Sequence, residues 1–154
     1  MGIHIVLMEP EIPQNTGNIV RTCAVTVSSL HLIRPLGFSI DDRYLKRAGL
    51  DYWPMANVRV HDSYEAFKQE IDNMPCYYFT TKAKRLYTQV DYPKECALVF
   101  GKETAGLPRN ILEENAQHCV RLPMKEGLRS LNLSNAVSIA VYEALRQGGF
   151  AGME

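Results

Sequence analysis

Short apolar runs rich in β-branched residues alternate along this chain with segments of helical periodicity. Six runs predict strands: IHIVLM, LHLIRP, VRVH, CYYFTT, ALVFG and CVRLP. Candidate helices follow five positions, which are Asn15, Asp42, Asp62, Pro108 and Asn132. Strands separated by helices predict a parallel sheet, and a continuous apolar run such as ALVF is typical of a sheet covered on both faces. We therefore predict an α/β fold with a parallel sheet, a type that binds ligands beyond the C-terminal ends of its strands.

Length and composition predict one ordered domain over residues 1–154, with little room for a second domain. The chain is 46% hydrophobic and 22% charged, and it contains no internal repeat or low-complexity linker. Its N-terminal stretch, MGIHIVLMEPEIP, lacks a basic region, and the apolar part is too short to span a membrane. We expect a cytoplasmic protein with no membrane partner.

The cysteines and histidines show no metal-ligand spacing. Cys23, Cys76, Cys96 and Cys119 form no C-x-x-C pair and stand among apolar or helix-forming neighbours, which predicts reduced core thiols. His4, His31, His61 and His118 are scattered along the sequence, so we predict no metal site. The 17 basic and 17 acidic residues give zero formal charge, so nucleic-acid binding would depend on local patches.

Local signals place several helix ends. Asp62 followed by Glu65 matches a capping pattern, Pro108 suits a first helical turn, and Gly148 with Gly149 ends the last helix. That helix carries a stripe of small residues, Ala136, Ala140 and Ala144, beside the bulkier Val137, Val141 and Leu145. This face predicts close packing, either on the sheet or against a second subunit.

Three polar loops follow the first, fifth and sixth predicted strands. If these strands are adjacent and parallel, the loops converge on one crevice. In the first loop, EPEIPQNTGNIVRT, Asn15 or Thr16 can cap the next helix, while Asn15, Asn18 and Arg21 share one face. Arg21 can bind a phosphate or carboxylate through its planar fork; alternatively it is a solvated side chain.

The second loop, FGKETAGLP, places Gly101 and Gly106 around Lys102, Glu103 and Thr104. Glycines allow a tight turn and close approach of the backbone to a ligand. The spacing matches neither a dinucleotide-binding G-x-G-x-x-G nor a Walker A loop, which disfavours dinucleotide and triphosphate binding. An ordinary strand-to-helix turn remains the alternative.

The third loop contains Ser130, Asn132 and Ser134 directly before the last helix, with Gly127 upstream. These side chains cannot all cap one helix, because a cap satisfies only one or two of the free N–H groups. The excess hydrogen-bonding capacity predicts a bound polar ligand, with a water-satisfied loop as the alternative.

Three segments, NTGNIVR, FGKETAGLP and LPMKEGLRSLNLSNAVSIAVYEALRQ, together resemble the three motifs of the SPOUT superfamily of S-adenosylmethionine-dependent RNA methyltransferases. The flanking EPEIPQNTGNIVRTCA and PLGFSIDDRYLKRAGLDYW resemble one branch, the tRNA (cytidine/uridine-34-2′-O)-methyltransferase or TrmL family, from about Ile3 to Gly149. The resemblance implies a single-domain α/β knot in which the C-terminal third of the chain forms a deep trefoil knot, a rare topology.

The resemblance also implies site residues. Those expected to bind S-adenosylmethionine, largely through backbone groups, are Phe79, Thr80, Gly101, Leu122, Met124, Ser130 and Leu131. Those expected to form the active site are Asn15, Arg21, Glu103, Ser130 and Asn132. Arg21 is the activator that the family favours; because a guanidinium is a poor base, it can instead orient the hydroxyl or the adjacent phosphate, with Glu103 holding it by an ion pair.

The implied partners are a tRNA anticodon loop and a second copy of the chain, with no DNA partner. Candidate RNA-binding residues are Arg43, Lys46, Arg47, Lys82, Lys84, Arg85, Lys125 and Arg129. Dimerisation is expected through the first and last helices, including Tyr142.

The implied function is 2′-O-methylation of the wobble nucleotide, a cytidine or modified uridine at position 34. No metal is needed, because the cofactor already carries an activated leaving group. Three alternatives stay open at this point: methylation of another tRNA or rRNA nucleotide, a knotted RNA-binding factor without activity, and a flavodoxin-like nucleotide-binding protein. The missing phosphate-loop patterns argue against the last.

Overall fold

The computed structural model describes residues 2–49 and 51–154. Its strands are β1 (Ile3–Met8), β2 (Ser29–Ile33), β3 (Asn57–His61), β4 (Cys76–Phe79), β5 (Cys96–Phe100) and β6 (Cys119–Val120). They form one six-stranded sheet in the order β3-β2-β1-β5-β4-β6, and every neighbouring pair is parallel. The predicted α/β fold with a parallel sheet is confirmed.

Five helices connect and cover the strands: α1 (Pro13–Thr26), α2 (Arg43–Gly49), α3 (Tyr64–Ile71), α4 (Arg109–Glu114) and α5 (Leu133–Gln147). Apolar residues of α1 and α5 pack on one face of the sheet in a single buried cluster. Phe67 of α3 and Ile111 of α4 belong to a second cluster on the other face. The sheet is therefore buried on both sides, which explains the continuous apolar strand sequences.

Helix starts differ in detail from the sequence prediction. α1 begins at Pro13, so Asn15 and Thr16 lie inside its first turn and do not cap it. Ser63, not Asp62, caps α3, because its hydroxyl accepts a hydrogen bond from the Ala66 N–H at 3.1 Å. Pro108 is the N-cap residue of α4 and precedes its first turn.

Two of the three strands that precede the polar loops are neighbours in the sheet, and the third, β6, is not. β1 and β5 are adjacent, but β4 lies between β5 and β6. The chain leaving β6 therefore passes the ends of β4 and β5 before it enters α5, which packs beside β1 and β5. The third loop reaches the site by this crossing.

The end of α5 is held by the segment that follows β4. The Gln147 side chain accepts a hydrogen bond from the Tyr92 N–H at 2.9 Å and donates one to the Val90 carbonyl at 3.0 Å. On the other side of this segment, the Arg121 N–H donates to the Arg85 carbonyl at 2.9 Å. The segment thus contacts both the loop after β6 and α5. The trefoil threading that the resemblance implies stays a prediction.

All four cysteines are buried and free, as predicted. Burial raises the pKa of the Cys23 and Cys96 thiols to about 12, so both are unreactive at neutral pH. No helix within the described residues is long and apolar enough to cross a membrane.

Three histidines that are distant in sequence form a hydrogen-bonded row on the α3 face of the sheet. His4 Nδ1 lies 2.9 Å from His31 Nε2, and His31 Nδ1 lies 2.9 Å from His61 Nε2. His61 Nδ1 then lies 3.4 Å from a Glu70 carboxylate oxygen, whereas His4 Nε2 is 3.8 Å from Glu95. One N–H per ring satisfies the row if all three point toward Glu70, which makes each imidazole a neutral Nδ1–H tautomer.

Burial keeps this row neutral. Desolvation and the neighbouring imidazoles His4 and His61 lower the pKa of His31 to about 4, and desolvation also lowers the pKa of His4 and His61. Phe67 packs edge-on against His31 and His61 at 5.3 and 5.4 Å, which excludes water from the rings. Proton uptake therefore favours the unfolded chain.

We predict that stability falls between pH 6.5 and pH 4 because of His31. Its folded-state pKa lies below the unfolded value, so its contribution is complete above pH 6.5 and is lost as the pH falls toward 4. Full loss corresponds to at most about 3 kcal/mol. Chemical unfolding of the natural chain and of His31→Leu between pH 5 and 7 checks this. The variant should be less stable at pH 7 but should depend less on pH; equal slopes would contradict the assignment.

Candidate cofactor and RNA site

A cavity of about 820 Å³ opens at the C-terminal ends of the central strands. Ligand cavities in proteins commonly have volumes of about 300–1,000 Å³. All seven residues expected to bind the cofactor line it: Phe79, Thr80, Gly101, Leu122, Met124, Ser130 and Leu131. Four of the five expected active-site residues line it too, namely Asn15, Glu103, Ser130 and Asn132. The three polar loops therefore converge on one cavity, as their sequence predicts.

Two carboxylates clamp the first loop to the second. Glu103 accepts hydrogen bonds from the backbone N–H groups of Glu11 at 2.8 Å and Ile12 at 3.2 Å. In return, Glu11 accepts the Thr104 N–H at 3.1 Å and the Thr104 hydroxyl at 2.7 Å. The two hydrogen bonds from Thr104 lower the pKa of the Glu11 carboxyl below its ordinary value. Ile12 is the N-cap residue of α1 and offers no polar side chain. Glu103 binds the backbone N–H of this residue itself and so fixes the start of the helix.

The second loop requires glycine at both ends. A Cβ atom on Gly101 would lie 2.0 Å from the Gly106 carbonyl carbon and 2.2 Å from the Leu107 nitrogen. Gly106 has φ +68°, in the left-handed region that favours glycine, and its N–H donates to the Lys102 carbonyl at 2.9 Å. The segment therefore folds back on itself, and its backbone forms one wall of the cavity.

In the third loop, one asparagine uses most of the hydrogen-bonding capacity. Asn132 caps α5: its Oδ1 accepts from the Ser134 N–H at 3.0 Å, the Ser134 hydroxyl at 2.6 Å and the Asn135 N–H at 3.4 Å. Its Nδ2 donates to Asn15 Oδ1 at 3.0 Å, which ties α5 to α1. Asn132 therefore acts as a positioning residue. Ser134 donates its backbone N–H and its hydroxyl to Asn132, so it does not contribute the ligand-binding capacity that its sequence position suggested.

The groups left for a ligand lie at the cavity edge. Within the described part of the chain, the Ser130 hydroxyl has no hydrogen-bond partner, and Ser130 and Arg129 are exposed. Asn15 uses its oxygen on Asn132, so its two N–H donors remain available. Phe79 and Phe100 stack at 4.6 Å between ring centroids and form an apolar part of the lining. An aromatic surface, loop backbone and a few polar groups fit a nucleoside-containing cofactor such as S-adenosylmethionine.

Arg21 lies apart from this cavity. It is exposed on α1, six residues and about 9 Å along the helix axis from Asn15. Its guanidinium carbon stands 4.7 Å from the centroid of the Tyr52 ring, a cation–π contact. The expected ion pair with Glu103 is wrong, because Glu103 binds the backbone of the first loop. Sequence reasoning missed Tyr52, because the segment GLDYW carries no local sign of a contact with Arg21.

The candidate RNA-binding residues lie in several separate places. Lys82 and Arg129 line the cavity. Exposed positions on α2 carry Arg43, Lys46 and Arg47. Lys46 lies 3.7 Å from Asp41, and Arg43 stacks on the Tyr44 ring at 4.8 Å, so both are partly engaged.

Arg85, after β4, donates to the Gln117 carbonyl at 3.3 Å. Lys84 and Lys125 are exposed and form no ion pair within residues 2–49 and 51–154. In the same described ranges, no group of three or more histidine, cysteine or acidic side chains is placed to hold a metal ion.

Comparisons with known proteins agree with this geometry. The SpoU rRNA Methylase family matches residues 2–142. A relative from Geobacillus stearothermophilus is 54% identical over 99% of both chains. A tRNA (cytidine(34)-2′-O)-methyltransferase of Yersinia pestis is 51% identical over 97% of this chain and 96% of its own.

A solved structure described as giving insights into 2-OH methylation of C/U34 on tRNA superimposes with a TM-score of 0.92. It is 42% identical and covers 96% of this chain and 97% of its own. The three motifs, the parallel sheet and the near-complete match along the sequence lead to one conclusion: the chain belongs to the SpoU family of RNA methylases.

Proposed function

We propose that this chain transfers a methyl group from S-adenosylmethionine to the ribose 2′-oxygen of nucleotide 34, the wobble position, in a tRNA anticodon loop. The target is a cytidine or a modified uridine. The convergence of all seven expected cofactor residues on one cavity carries the proposal. Family membership supports the reaction, and the activity named for the Yersinia pestis relative supports the nucleotide.

When bound, S-adenosylmethionine supplies an electrophilic methyl group on a sulfonium sulfur. Residues that would hold it are Phe79, Thr80, Gly101, Leu122, Met124, Ser130 and Leu131. The protein contributes mainly by positioning, because an oriented ribose hydroxyl reacts far faster than a freely diffusing one. The Ser130 hydroxyl and the Asn15 amide are available to bind the ribose, while Asn132 and Glu103 hold the loops that present them.

Arg21 lies apart from the cavity within one chain, so of its two possible roles, orienting the ribose hydroxyl or the adjacent phosphate, its position favours the phosphate. A guanidinium stays protonated in proteins, so it donates hydrogen bonds and does not accept the hydroxyl proton, which passes to solvent water. Stacking on Tyr52 restricts its side chain on the exposed face of α1 while leaving its N–H groups free to bind RNA. Arg43, Lys46, Arg47, Lys82, Lys84, Arg85, Lys125 and Arg129 supply further contacts to RNA phosphates.

A homodimer is part of the proposal. Val25 of α1 and Ile139 and Tyr142 of α5 are 50%, 40% and 43% exposed, which is high for apolar helix residues. The two helices are joined at this surface by a 3.2 Å hydrogen bond between the Thr22 and Ser138 hydroxyls. A second copy would cover both apolar faces. A tRNA substrate places the dimer in the cytoplasm.

Methyl transfer from labelled S-adenosylmethionine to tRNA from cells lacking this activity tests the reaction. We expect label as 2′-O-methylcytidine or 2′-O-methyluridine at position 34 by nuclease mapping. Arg21→Ala should reduce kcat/KM about a hundredfold through lost orientation, whereas Arg34→Ala should act like the natural chain, since Arg34 pairs with Asp62 away from the cavity. Label at another nucleotide would refute the target; absence of label despite cofactor binding would refute the reaction.

Removing the Tyr52 ring should weaken the orientation of Arg21. An exposed cation–π contact contributes about 0.5–1 kcal/mol, so Tyr52→Leu should lower kcat about two- to fivefold. Tyr52→Phe keeps the ring and should retain nearly full activity. The dissociation constant of S-adenosylmethionine should be unchanged in both variants, because Tyr52 is not part of the cavity lining. Equal activity of the Leu and Phe variants would show that the stacking has no role.

Glu103→Gln should separate a structural role from a chemical one. Its carboxylate accepts two backbone N–H groups, and an amide offers only one oxygen for them. We expect a loss of roughly 1 kcal/mol in unfolding free energy and weaker cofactor binding, but kcat near the natural value at saturating cofactor. Glu114→Gln, an exposed change on α4, is the matched control. A large fall in kcat with unchanged cofactor affinity would instead place Glu103 in the chemical step.

A further inference from the structure

A second cavity, of about 650 Å³, opens next to the cofactor cavity. It lies between the segment that follows β4 and the region from α4 to β6. Thr80, Lys82 and Leu112 line both cavities, so the two share one wall. A ligand in the second cavity would therefore lie beside the site of methyl transfer.

The lining of the second cavity is strongly basic. Its cations are Lys82, Lys84, Arg85 and Arg109, and Glu113 is its only carboxylate. Four positive groups against one negative group leave a local excess of three positive charges, although the whole chain is neutral. Arg109 Nε donates to Glu113 Oε1 at 2.8 Å, one turn further along α4, so the carboxylate competes directly for this cation. Charge complementarity favours an anionic ligand.

The rest of the lining is apolar. Ala83, Leu112, Ala116 and Cys119 contribute to it, and Ala83 and Cys119 are nearly fully buried. An apolar surface can accommodate the flat face of a nucleobase, while a basic rim binds the attached phosphate. Proteins that bind single-stranded nucleic acid combine a basic groove with aromatic side chains on which the bases stack. This cavity offers the basic groove with non-aromatic apolar side chains, and recognised RNA bases are commonly splayed out of loops.

We propose that the second cavity, defined by Lys82, Lys84, Arg109 and Ala116, binds a nucleotide of the RNA substrate other than the one being methylated. The base lies on the apolar surface, and its phosphate contacts the lysines and Arg109. The inference rests on the proposed function for its choice of RNA as the ligand. It gives a chain of zero net charge one defined RNA-binding site in addition to scattered surface charges. It also adds Arg109 and Ala116 to the residues that contact the substrate.

Substitutions at Arg109 and Glu113, which form an ion pair, should change tRNA affinity in opposite directions. Glu113→Gln removes the competing carboxylate and should tighten binding of total deproteinised tRNA about two- to fivefold, whereas Arg109→Gln should weaken it by a similar factor. Arg109→Gln should also reduce the salt dependence of binding by about one phosphate contact. Lys94→Gln is the charge control. Lys94 lies just before the N-terminal end of β5, whereas the cofactor cavity opens at the C-terminal ends of the central strands.

Blocking the cavity without altering charge tests the base contact. Ala116 is exposed, so Ala116→Trp should fold normally, fill the cavity and weaken tRNA binding at least about tenfold. Ala151→Trp, the same change at an exposed alanine that lines neither cavity, should bind like the natural chain. Thermal unfolding and cofactor affinity, both expected to be unchanged, confirm that the variants are intact.

The two proposals fail in distinguishable ways. If the natural chain methylates tRNA but Glu113→Gln, Arg109→Gln and Ala116→Trp bind tRNA as it does, the second cavity is not an RNA site and the proposed function stands. If these variants shift tRNA affinity as expected but the natural chain transfers no methyl group, the cavity binds RNA and the proposed reaction is wrong.

Discussion

Parallel pairing of β1 with β5 is the contact on which the site depends. The register pairs Leu7 with Phe100, so the two chains leave the sheet side by side although they are far apart in sequence. Only because of this can Glu11 and Glu103 reach each other's loops and exchange four hydrogen bonds. Glu103 binds the backbone N–H of Ile12, the N-cap residue of α1, and so fixes the start of the helix. The helix, the glycine turn and one cavity wall are therefore stabilised together, and weakening the clamp would loosen all three.

The polar groups of the three loops divide into those used by the protein and those left for ligands. Glu11, Glu103 and Asn132 are used: their oxygens accept hydrogen bonds that hold one loop to another or cap α5. Ser130 and the Asn15 amide nitrogen are left. This division follows from the rule that polar groups in packed regions need partners. A motif with several polar residues consequently contains fewer ligand-binding groups than its composition suggests. The polar residues that are bonded within the protein orient the few that are left for a ligand.

Much of the architecture could be predicted because it depends on local patterns. Apolar runs located the strands, Gly101 and Gly106 indicated a tight loop, and the order of elements indicated a parallel sheet. Features that depend on contacts between residues far apart in the sequence could not be predicted from local patterns. The histidines of the row are separated by 27 and 30 residues, and only the stagger of β1, β2 and β3 aligns their rings. The cap by Ser63 in place of Asp62 shows that one-residue boundaries are set by local geometry.

The same limit explains the error that matters for function. The pairing of Arg21 with Glu103 matches opposite charges, yet backbone N–H groups bind the carboxylate, and the ring of Tyr52, from a separate segment, contacts the guanidinium. The position of β4 between β5 and β6 likewise depends on strand pairing that local patterns do not specify.

Because the chain has zero net charge, the place where RNA can bind depends on how the cations are arranged and not on how many there are. Surface charges interact over about 8 Å at physiological salt, so a carboxylate beside a cation weakens the attraction of that cation for a phosphate. Around the two cavities, Glu113 binds Arg109, whereas Lys82, Lys84 and Arg129 are exposed and form no ion pair within the described residues. On α2, Asp41 lies close to Lys46. Unpaired cations therefore line both cavities, which is where a neutral enzyme must attract a polyanion to act on it.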